Sequence, residues 1–498
     1  MEEKKLDINS IIGFALIFGI LMYMLWQNQP TPEQAAEQEK AKQEQLAAEE
    51  KAKVPEDVIQ TTAEDFSKEA VTDSVQLTSL KNKLGAFAYS STLPSASNNE
   101  TIVENDLLKL KFSNKGGFLS EVKLKNFVNY DSIPIYLVKD NNAAFNINFG
   151  TTDSRILNTQ DLYFEPTITK NGENTIVSMK LKVSQDRFLE YRYEIKKNEY
   201  MMDFTIRSQG LDQVINSSQA INLDWKIKTY RHAKSVAYEN RYTELIYEYE
   251  GGKDNYLGQS ELSESTENDV TYVAFKQHFF TSVLLADSPF KTADLKSYNL
   301  IKDEEIDTVF TKSFEAKLPL ELASGEINKT MNWYFGPTDY KILNAYDRNL
   351  DEIIPLGWGI FGWINKFIFV PLFGFLSTFM GLGIAIIVFT ILIKIAMSPI
   401  TFKSFLSQAK MKVLRPEIME IGEKFKKDPM KKQQETMKLY NKAGVNPMAG
   451  CIPALIQIPF MYASFQFFPS AFELRQKGFL WADDLSSFDQ IFKLPFNI

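Results

Sequence analysis

The chain has 498 residues, enough for more than one folded unit, and carries 55 basic and 63 acidic residues for a net charge of −8. It has two histidines, His232 and His278, one cysteine, Cys451, and no HExxH, Walker or G-x-S-x-G motif, so the usual parts of metal, phosphoryl-transfer and serine-hydrolase sites are lacking. We therefore predict a protein that is not an enzyme, uses no cofactor or metal and does not bind nucleic acid.

Charge is distributed unevenly along the chain. Residues 10–365 carry a net charge of −14, whereas residues 403–445 contain 11 basic and 5 acidic residues. Short cytoplasmic loops of membrane proteins are enriched in lysine and arginine. The acidic and basic blocks are therefore predicted to lie on opposite sides of a membrane.

The amino-terminal part contains the first predicted membrane helix. Residues 1–9 are predicted to be cytoplasmic, and the uncharged apolar run that follows Lys4 and Lys5 predicts a transmembrane signal anchor over residues 10–27. The polar stretch after it lacks a small-x-small cleavage site, which favours a retained anchor over a removed signal peptide. Residues 28–59 are rich in Ala, Glu, Gln and Lys, cannot bury an apolar face and predict a solvated linker.

Residues 60–345 are predicted to form a large all-β domain, an antiparallel sandwich on the outer side of the membrane. LKLKF at 108–112 alternates apolar and basic residues, the turn SNKGG follows, and EVKLKNF at 121–127 alternates again, which predicts a hairpin. Residues 191–210 repeat this arrangement. His278, within YVAFKQHFF, is predicted to be a core or surface histidine rather than a ligand.

The second apolar region, residues 353–402, contains only two charges, Lys366 and Lys394. One membrane crossing in this region separates the acidic from the basic block, whereas two crossings would leave both blocks on one side. The aromatic-rich residues 353–380 are therefore predicted to form an amphipathic interfacial helix. Residues 382–400 are predicted to be the second transmembrane helix of an all-α membrane core.

The basic residues 403–445 are predicted to form a cytoplasmic hairpin of two helices, 403–427 and 430–443, because the Asp-Pro pair between them breaks the run. A positive amphipathic hairpin suits anionic headgroups or an acidic partner, although ordinary positive-inside bias explains most of the single lysines. Residues 448–471 carry no charge and predict a third transmembrane helix, kinked at its prolines. Residues 472–498 are predicted to be a loop on the outer side, which is the periplasmic side if the resemblance described below holds.

Lys394 lies near the middle of an apolar span and needs an explanation. A charge at the centre of a spanning helix costs about 2.5–3.5 kcal/mol on insertion scales. Thr390 and Ser398 lie one turn to either side of it on the same helix face, and Gln457 and Ser464, seven residues apart, share a face of the third helix. We predict that these polar faces line a hydrophilic groove; snorkelling of the lysine toward the cytoplasmic headgroups is the alternative.

Several stretches resemble one family of membrane proteins. VFTILIKIAMSPITFKSFLSQAKMKVLRPEI, LYNKAGVNPMAGCIPALIQIPFMYASF and ELRQKGFLWADDLS are similar to the YidC, Oxa1 and Alb3 insertases. NKGGFLSEVKLKNF, YVAFKQHFF and NWYFGP resemble the periplasmic domain of the Gram-negative members. The pattern NP-x-x-GC-x-P-x-x-x-Q-x-P is the most specific of these features.

The resemblance implies an insertase and chaperone of the bacterial inner membrane, a multi-pass protein. In this family a hydrophilic groove receives apolar segments of nascent membrane proteins and releases them into lipid, alone or with the Sec translocon. Phospholipids, and the ribosome as a further candidate, are the other expected partners. Family members have additional helices after the point at which this chain stops, so a shortened chain is expected.

The resemblance also implies roles for single residues. The family's basic groove residue is usually arginine and falls on Lys394, so a charge attraction is kept while bidentate binding of a carboxylate is lost. Thr390 and Gln457 fall on polar groove positions. The apolar slide of the third helix falls on Ile458, Pro459 and Met461.

Two alternatives belong to other classes of protein. Ser398 and Lys394 could form the Ser-Lys dyad of a membrane protease, but no oxyanion-binding element is evident. The β-domain could instead be a carbohydrate- or partner-binding module for which the helices are only an anchor. That reading leaves the polar faces of two membrane helices unexplained.

Overall fold

The computed structural model describes residues 74–258, 260–444 and 452–488. The predicted signal anchor, residues 10–27, and the predicted linker, residues 28–59, lie outside the described residues, as does Cys451. The part of the chain that is described consists of β-sheets followed by helices.

The first described element is a helix, α1 (Ser74–Leu84), followed by a 3-10 helix at Gly85–Thr92. The all-β prediction for residues 60–345 was wrong for this segment, and among the described residues the first strand begins at Glu100. The reason lies in the spacing of the leucines, because Leu77, Leu80 and Leu84 are half-buried on one helical face. Alternation with period two is not present in SVQLTSLKNKL.

The smaller sheet has four antiparallel strands in the order β1-β2-β3-β4. Their bounds are β1 Glu100–Glu104, β2 Leu108–Ser113, β3 Leu119–Val128 and β4 Pro134–Val138. Strands β2 and β3 pair through Leu108–Leu124 and Leu110–Val122, which confirms the predicted hairpin. Its turn requires glycine, because Gly117 has a φ of +68° and a Cβ there would lie 2.7 Å from the Phe164 ring.

The larger sheet has 14 strands, and most of them form one antiparallel path in the order β6-β5-β11-β16-β15-β18-β10-β9-β8-β7. Off this path, β12 pairs with β13 and β14, and β17 pairs with β18. Strands β9 and β10 pair from Ile195 opposite Met202 to Phe188 opposite Gln209, which confirms the hairpin predicted within residues 191–210. The bounds are β5 Ala143–Gly150, β6 Ile156–Asn158, β7 Glu165–Asn171, β8 Asn174–Lys182, β9 Phe188–Ile195, β10 Met201–Gln209, β11 Ile221–Tyr230, β12 Glu244–Tyr249, β13 Lys253–Leu257, β14 Leu262–Lys276, β15 Phe280–Asn299, β16 Phe310–Leu320, β17 Leu322–Ala323 and β18 Glu326–Pro337.

One hydrophobic core lies between the two sheets. Phe112 of the smaller sheet contacts Tyr193 of the larger one with ring centroids 4.8 Å apart, and Phe118 contacts Trp333 at 5.6 Å. Trp225 and Trp333 pack edge to face at 4.8 Å in its centre. Burying each such side chain contributes about 1.5–3 kcal/mol, so alternation along the strands is sufficient to hold the layers together. The predicted β-sandwich is confirmed.

The helical region follows the sheets. Two short helices precede it, one between strands β11 and β12 and one directly after strand β18. Residues Asn365–Phe369 form a π-helical turn between α4 and α5. The bounds are α2 Val236–Tyr242, α3 Tyr340–Asn344, α4 Gly359–Ile364, α5 Val370–Phe379, α6 Leu382–Val413, α7 Arg415–Lys424, α8 Pro429–Lys442 and α9 Ile452–Ser470, with 3-10 helices at Thr159–Asp161, Leu350–Ile353 and Phe472–Leu474.

Helix α6 is longer than predicted. The span predicted for residues 382–400 continues without a break to Val413, so the hairpin helix predicted to start at residue 403 starts at Arg415 instead. No helix breaker lies between Pro399 and Leu414. Helix α6 ends where Leu414 caps it, and a proline lies in the first turn of α7. The second break was predicted correctly, since the Asp428 side chain caps α8 by accepting the backbone N–H of Lys431.

Two helical stretches of the described chain are long and apolar enough to cross a membrane, Gly359–Phe379 and Leu382–Val413. The first includes the segment predicted to lie flat in the interface. Its Phe369 and Phe373 are buried against α6 and α9, so this segment packs on other helices along one side. Its orientation in the interface stays a prediction.

Candidate functional site: the polar face of helix α6

Helix α6 has one face that packs against protein. Ala385, Phe389 and Met397 are buried, and the Phe389 ring contacts Phe369 of the π-helical turn at 4.9 Å and Phe467 of α9 at 6.0 Å. Positions three and four residues apart share a helix face, so these residues form one apolar seam. The seam places α6 beside α9.

The polar residues of α6 lie next to this seam and not within it. Thr390 and Ser398 each follow a seam residue by one position, about 100° around the helix, and Lys394 likewise follows Ile393, which packs against the same cluster. All three polar residues are exposed. The Thr390 hydroxyl donates to the Ile386 carbonyl at 2.8 Å, which satisfies it within the helix. Within the part of the chain that the structure describes, Lys394 forms no ion pair.

Helix α9 carries the other predicted groove residues. Gln457 and Ser464 are half-buried on the side of Phe460 and Phe467, which face α6. The Ser464 hydroxyl donates to the Phe460 carbonyl at 2.8 Å and is thus satisfied within its own helix. No hydrogen bond joins Lys394 to the polar side chains of α9 in the described ranges. The structure makes the two helices neighbours, and the groove itself stays a prediction.

The predicted apolar slide lies on an open face of α9. Ile458 and Met461 are 48 % and 49 % exposed, and Pro459 between them is half-buried. Leu455 and Phe465 extend the same face and are 58 % and 67 % exposed. An apolar face of this extent on a folded protein requires cover from lipid or from another chain. The slide role of these residues remains a prediction.

The buried Asn365 was missed by the sequence analysis. Its side-chain amide is completely buried and donates to two backbone carbonyls, Leu356 at 2.6 Å and Ala463 of α9 at 3.0 Å. Its neighbour Lys366 pairs with Asp351, 3.3 Å away, and with Glu352. An uncharged amide inside an apolar run is the signal that could have revealed it, since buried polar side chains commonly connect membrane helices.

The two histidines are both in the β-domain and buried. His278 Nε2 lies 2.9 Å from the Pro469 carbonyl, and burial lowers the pKa of His278 to about 3. Burial likewise lowers the pKa of His232 to about 3. Both rings are therefore neutral, and the Pro469 contact identifies the Nε2–H tautomer of His278 as the donor. Across residues 74–258, 260–444 and 452–488 no cluster of metal-binding side chains is present.

The hairpin of α7 and α8 exposes both charge and apolar surface. Its ion pairs Lys438–Glu435 at 2.8 Å and Lys426–Glu423 at 3.5 Å lie at the surface. Met419 and Met430 are 65 % and 80 % exposed. Long flexible thioether side chains adapt to different apolar partners, so this surface is suited to transient contacts.

Two family models match most of this chain. Residues 100–371 match the family model described as the YidC periplasmic domain, and residues 374–498 match the family described as 60Kd inner membrane protein. A solved structure of an active YidC insertase with its first transmembrane domain resolved aligns with 78 % of this chain and 76 % of its own, at 17 % identity and a TM-score of 0.29.

Two curated relatives cover nearly the whole chain. The membrane protein insertase YidC of Parabacteroides distasonis is 34 % identical over 98 % of this chain and 78 % of its own length. That of Porphyromonas gingivalis is 33 % identical over 99 % of this chain and 79 % of its own. These relatives do not support the protease or the binding-module alternative. The chain therefore belongs to the YidC family of membrane protein insertases.

Proposed function

We propose that α6 and α9 form two walls of a hydrophilic groove in which Lys394 attracts the negatively charged flank of a client segment. One observation carries the proposal: Lys394 is the single charged residue of α6 within residues 382–400, and it is exposed without an ion-pair partner in the described chain. A cation left in this state is costly in lipid, whereas water and an incoming carboxylate both stabilise it. The client's charge replaces part of the hydration that Lys394 loses.

The apolar part of the client then moves along α9. Ile458, Pro459 and Met461 offer it an apolar surface that the described residues cover only in part. Transfer of the segment from water to lipid provides the driving force, at about 25 cal/mol for each Å² of apolar surface removed from water. Insertion of this kind requires no covalent step and no nucleotide, so we propose that the protein is not an enzyme.

The basic hairpin of α7 and α8 would meet the client first. Its positive charge and exposed methionines suit a nascent membrane protein with an acidic flank, and the same charge suits anionic phospholipids. We extend the proposal to a multi-pass topology with the hairpin in the cytoplasm and the β-domain in the periplasm. The Sec translocon and the ribosome are partners under the same proposal.

The first test compares insertion of a single-span client with an acidic tail by variants of the full-length protein. We expect Lys394→Ala to lower insertion at least about tenfold, the factor that corresponds to about 1.4 kcal/mol, and Lys394→Arg to restore it. Lys412→Ala is the matched control, because Lys412 lies on the same face five turns along α6 and is also exposed. Normal insertion by Lys394→Ala would refute the role of this charge.

A second test asks whether water reaches position 394 from the cytoplasm. In a Cys451→Ser background, Lys394→Cys is treated with a membrane-impermeant thiol reagent in inside-out vesicles. Labelling at a rate close to that of Lys403→Cys is expected if a groove open to the cytoplasm surrounds position 394. Protection of position 394 alone would instead support a lysine that is shielded by lipid and reaches the headgroups by snorkelling.

A further inference from the structure

The chain immediately after α9 is attached to the β-domain by contacts of several kinds. Residues 471–476, which we call the docking segment, leave the end of α9 and lie against strand β3 and the start of strand β15. Contacts with the β-domain begin two residues earlier, at Pro469. The contacts differ in chemistry, so each can be tested separately.

The first contact caps the helix. The last carbonyls of a helix lack partners within it, and the Pro469 carbonyl accepts a hydrogen bond from His278 Nε2 at 2.9 Å. The His278 ring is held between Phe279, with ring centroids 3.8 Å apart, and Tyr242, at 4.8 Å. Because this ring is 4 % exposed and fixed on both faces, it holds the end of α9 at one position on the β-domain.

The second contact is apolar. The Phe472 ring packs edge to face against Phe127 at 5.4 Å, Phe280 at 5.8 Å and Phe279 at 5.9 Å. These three rings come from β3, from β15 and from the residue before β15. Phe472 is therefore inserted between elements of both sheets, which fixes the direction in which the chain leaves α9.

The third contact is polar and charged. The Arg475 guanidinium donates to the Val128 carbonyl and lies 5.0 Å from the centre of the Phe280 ring. Gln476 Nε2 donates to the carbonyls of Val128 and Asn129 at 3.0 and 2.9 Å. Both side chains use carbonyls at the end of strand β3, so they continue the hydrogen bonding of the sheet into the docking segment.

A fourth contact lies at the edge of this surface. Glu473 pairs with Lys341 of helix α3 at 2.7 Å. Leu474, by contrast, points back into the helices and is 1 % exposed within the cluster that contains Phe389 and Phe467. The docking segment thus contacts the β-domain and the helical region within six residues.

Among the described residues, no hydrogen bond, ion pair or ring contact joins the amino-terminal half of α9 to the β-domain. Leu455, Ile458 and Met461 in this half are about half exposed. A helix that is held at its carboxyl-terminal end by the β-domain and near its middle by the Asn365 bond to Ala463 can still tilt at its other end. Its direction is then decided by the docking contacts.

From these contacts we infer that the β-domain positions α9 for insertion, with His278, Phe472 and Arg475 as positioning residues that set which face of α9 the client meets. The inference rests on the proposed function, because it concerns the wall along which the client moves. The β-domain then acts on insertion through the orientation of one helix, and contact between the β-domain and the client is not required.

The test measures where a client touches α9. An arrested single-span client with one cysteine in its apolar segment is oxidised in the presence of full-length protein that carries Leu455→Cys, Met461→Cys or Phe465→Cys in a Cys451→Ser background. The ratio of disulfide yields at the three positions reports the orientation of the helix. The three positions cover more than two turns of α9.

We expect Arg475→Met and Phe472→Ala each to change this ratio at least about fivefold, because the first removes a hydrogen bond from a charged group and the second removes contacts with three rings, while Arg475→Lys stays nearer to the original ratio. Arg348→Met is the matched control, because Arg348 also donates to a backbone carbonyl, that of Ala286, but lies away from the docking segment. Gln476→Leu is a milder variant that removes two hydrogen bonds from an exposed side chain.

The outcome separates the inference from the proposed function. Lys394→Ala should lower all three disulfide yields together and leave their ratio unchanged, since it weakens capture of the client without moving α9. A ratio that is unchanged in Arg475→Met, Phe472→Ala and Gln476→Leu would overturn the inference. Resistance of the β-domain to protease in each variant verifies that it is still folded.

Discussion

The β-domain and the helical region differ in how they cover their apolar surface. In the β-domain the largest side chains, among them Trp225, Trp333 and Tyr193, are buried in a single core that the chain itself completes. In the helical region, only 22 % of the most apolar stretch of 18 residues in α6 is buried by the protein. Phe402 and Phe405 of the same helix are 67 % and 70 % exposed. The β-domain is thus stabilised by its own packing in water, whereas the helices depend on lipid and on neighbouring segments.

The two regions also differ in how they treat charge. Lys312 in the β-domain is 1 % exposed, but its ammonium donates to the carbonyls of Thr243 and Gly258, and burial lowers its pKa to about 8. Lys394 has no comparable partner in the described helices. The buried Lys312 donates to two carbonyls and so contributes to the stability of the fold. Lys394, which has no such partner, remains available to a client.

The largest effect is expected from a substitution in the core of the β-domain. Trp333→Ala should lower the free energy of unfolding of the β-domain by about 3–5 kcal/mol, because it leaves a cavity among Phe118, Phe145 and Phe204. Trp333→Phe should cost less, since the buried indole N–H has no hydrogen-bond partner to lose. Denaturant unfolding followed by near-ultraviolet circular dichroism measures both. A loss below about 1 kcal/mol for the alanine variant would show that the core is looser than the ring contacts indicate.

A smaller effect tests the packing of the helical side. Gly383 lies at the start of α6, and a Cβ there would lie 2.0 Å from the ring of Phe479, so Gly383→Leu should displace the loop after α9 at a cost of about 1–3 kcal/mol. Gly381→Ala is the matched control, because a Cβ at Gly381 meets nothing within 4 Å. Limited proteolysis of the loop should accelerate in the first variant alone. Unfolding of the β-domain should be unchanged in both, and a change there would mean that the two regions unfold together.

The acid dependence of the β-domain follows from its buried groups. Burial lowers the pKa values of His232 and His278 to about 3, so the unfolded chain binds their protons first and stability is lost as the pH falls from about 6.5 toward 3. Burial raises the pKa of Glu239 to about 7, which has the opposite sign: stability is lost as the pH rises from about 4.5 to 7. The two effects oppose each other between pH 4.5 and 6.5.

Two substitutions separate these contributions. Glu239→Gln should make the loss of stability between pH 6.5 and 4.5 steeper than in the unsubstituted protein, and His278→Gln should make it shallower. Thermal unfolding measured at half-unit steps of pH distinguishes them. Identical slopes for all three proteins would mean that other groups control the acid response.

The smallest effect is expected at the surface. Lys253 and Glu250 form an exposed pair at 2.6 Å in the β-domain, and Lys253→Ala should leave the free energy of unfolding almost unchanged, because water screens the attraction between the two charges. High salt should remove any remaining difference between the two proteins. A clear destabilisation by Lys253→Ala would indicate that the loop between β12 and β13 has a further partner.

The relation between sequence and structure differs in the same two regions. Alternation in LKLKF and EVKLKNF predicted the β2–β3 pair, because side chains on a strand point to opposite faces and only one register buries the leucines. The same principle applied from residue 60 was wrong for α1, where leucines at helical spacing are present instead. The length of α6 was underestimated because the lysines that begin at Lys403 mark the change from membrane to cytoplasm but do not end a helix, and residues 401–413 contain no breaker.

The sequence by itself determined the family, the β-sandwich, the two apolar helices of the described chain and the unusual position of Lys394, because periodicity, charge and short motifs are local properties of a chain. Only the tertiary structure decided that Asn365 reaches the backbone of α9, that His278 caps the same helix from the β-domain, and that Phe472 and Arg475 fasten its end to strands far away in sequence. Such contacts join residues separated by about 100 to 350 positions, and no local pattern predicts which distant carbonyl or ring a side chain meets after the core has closed.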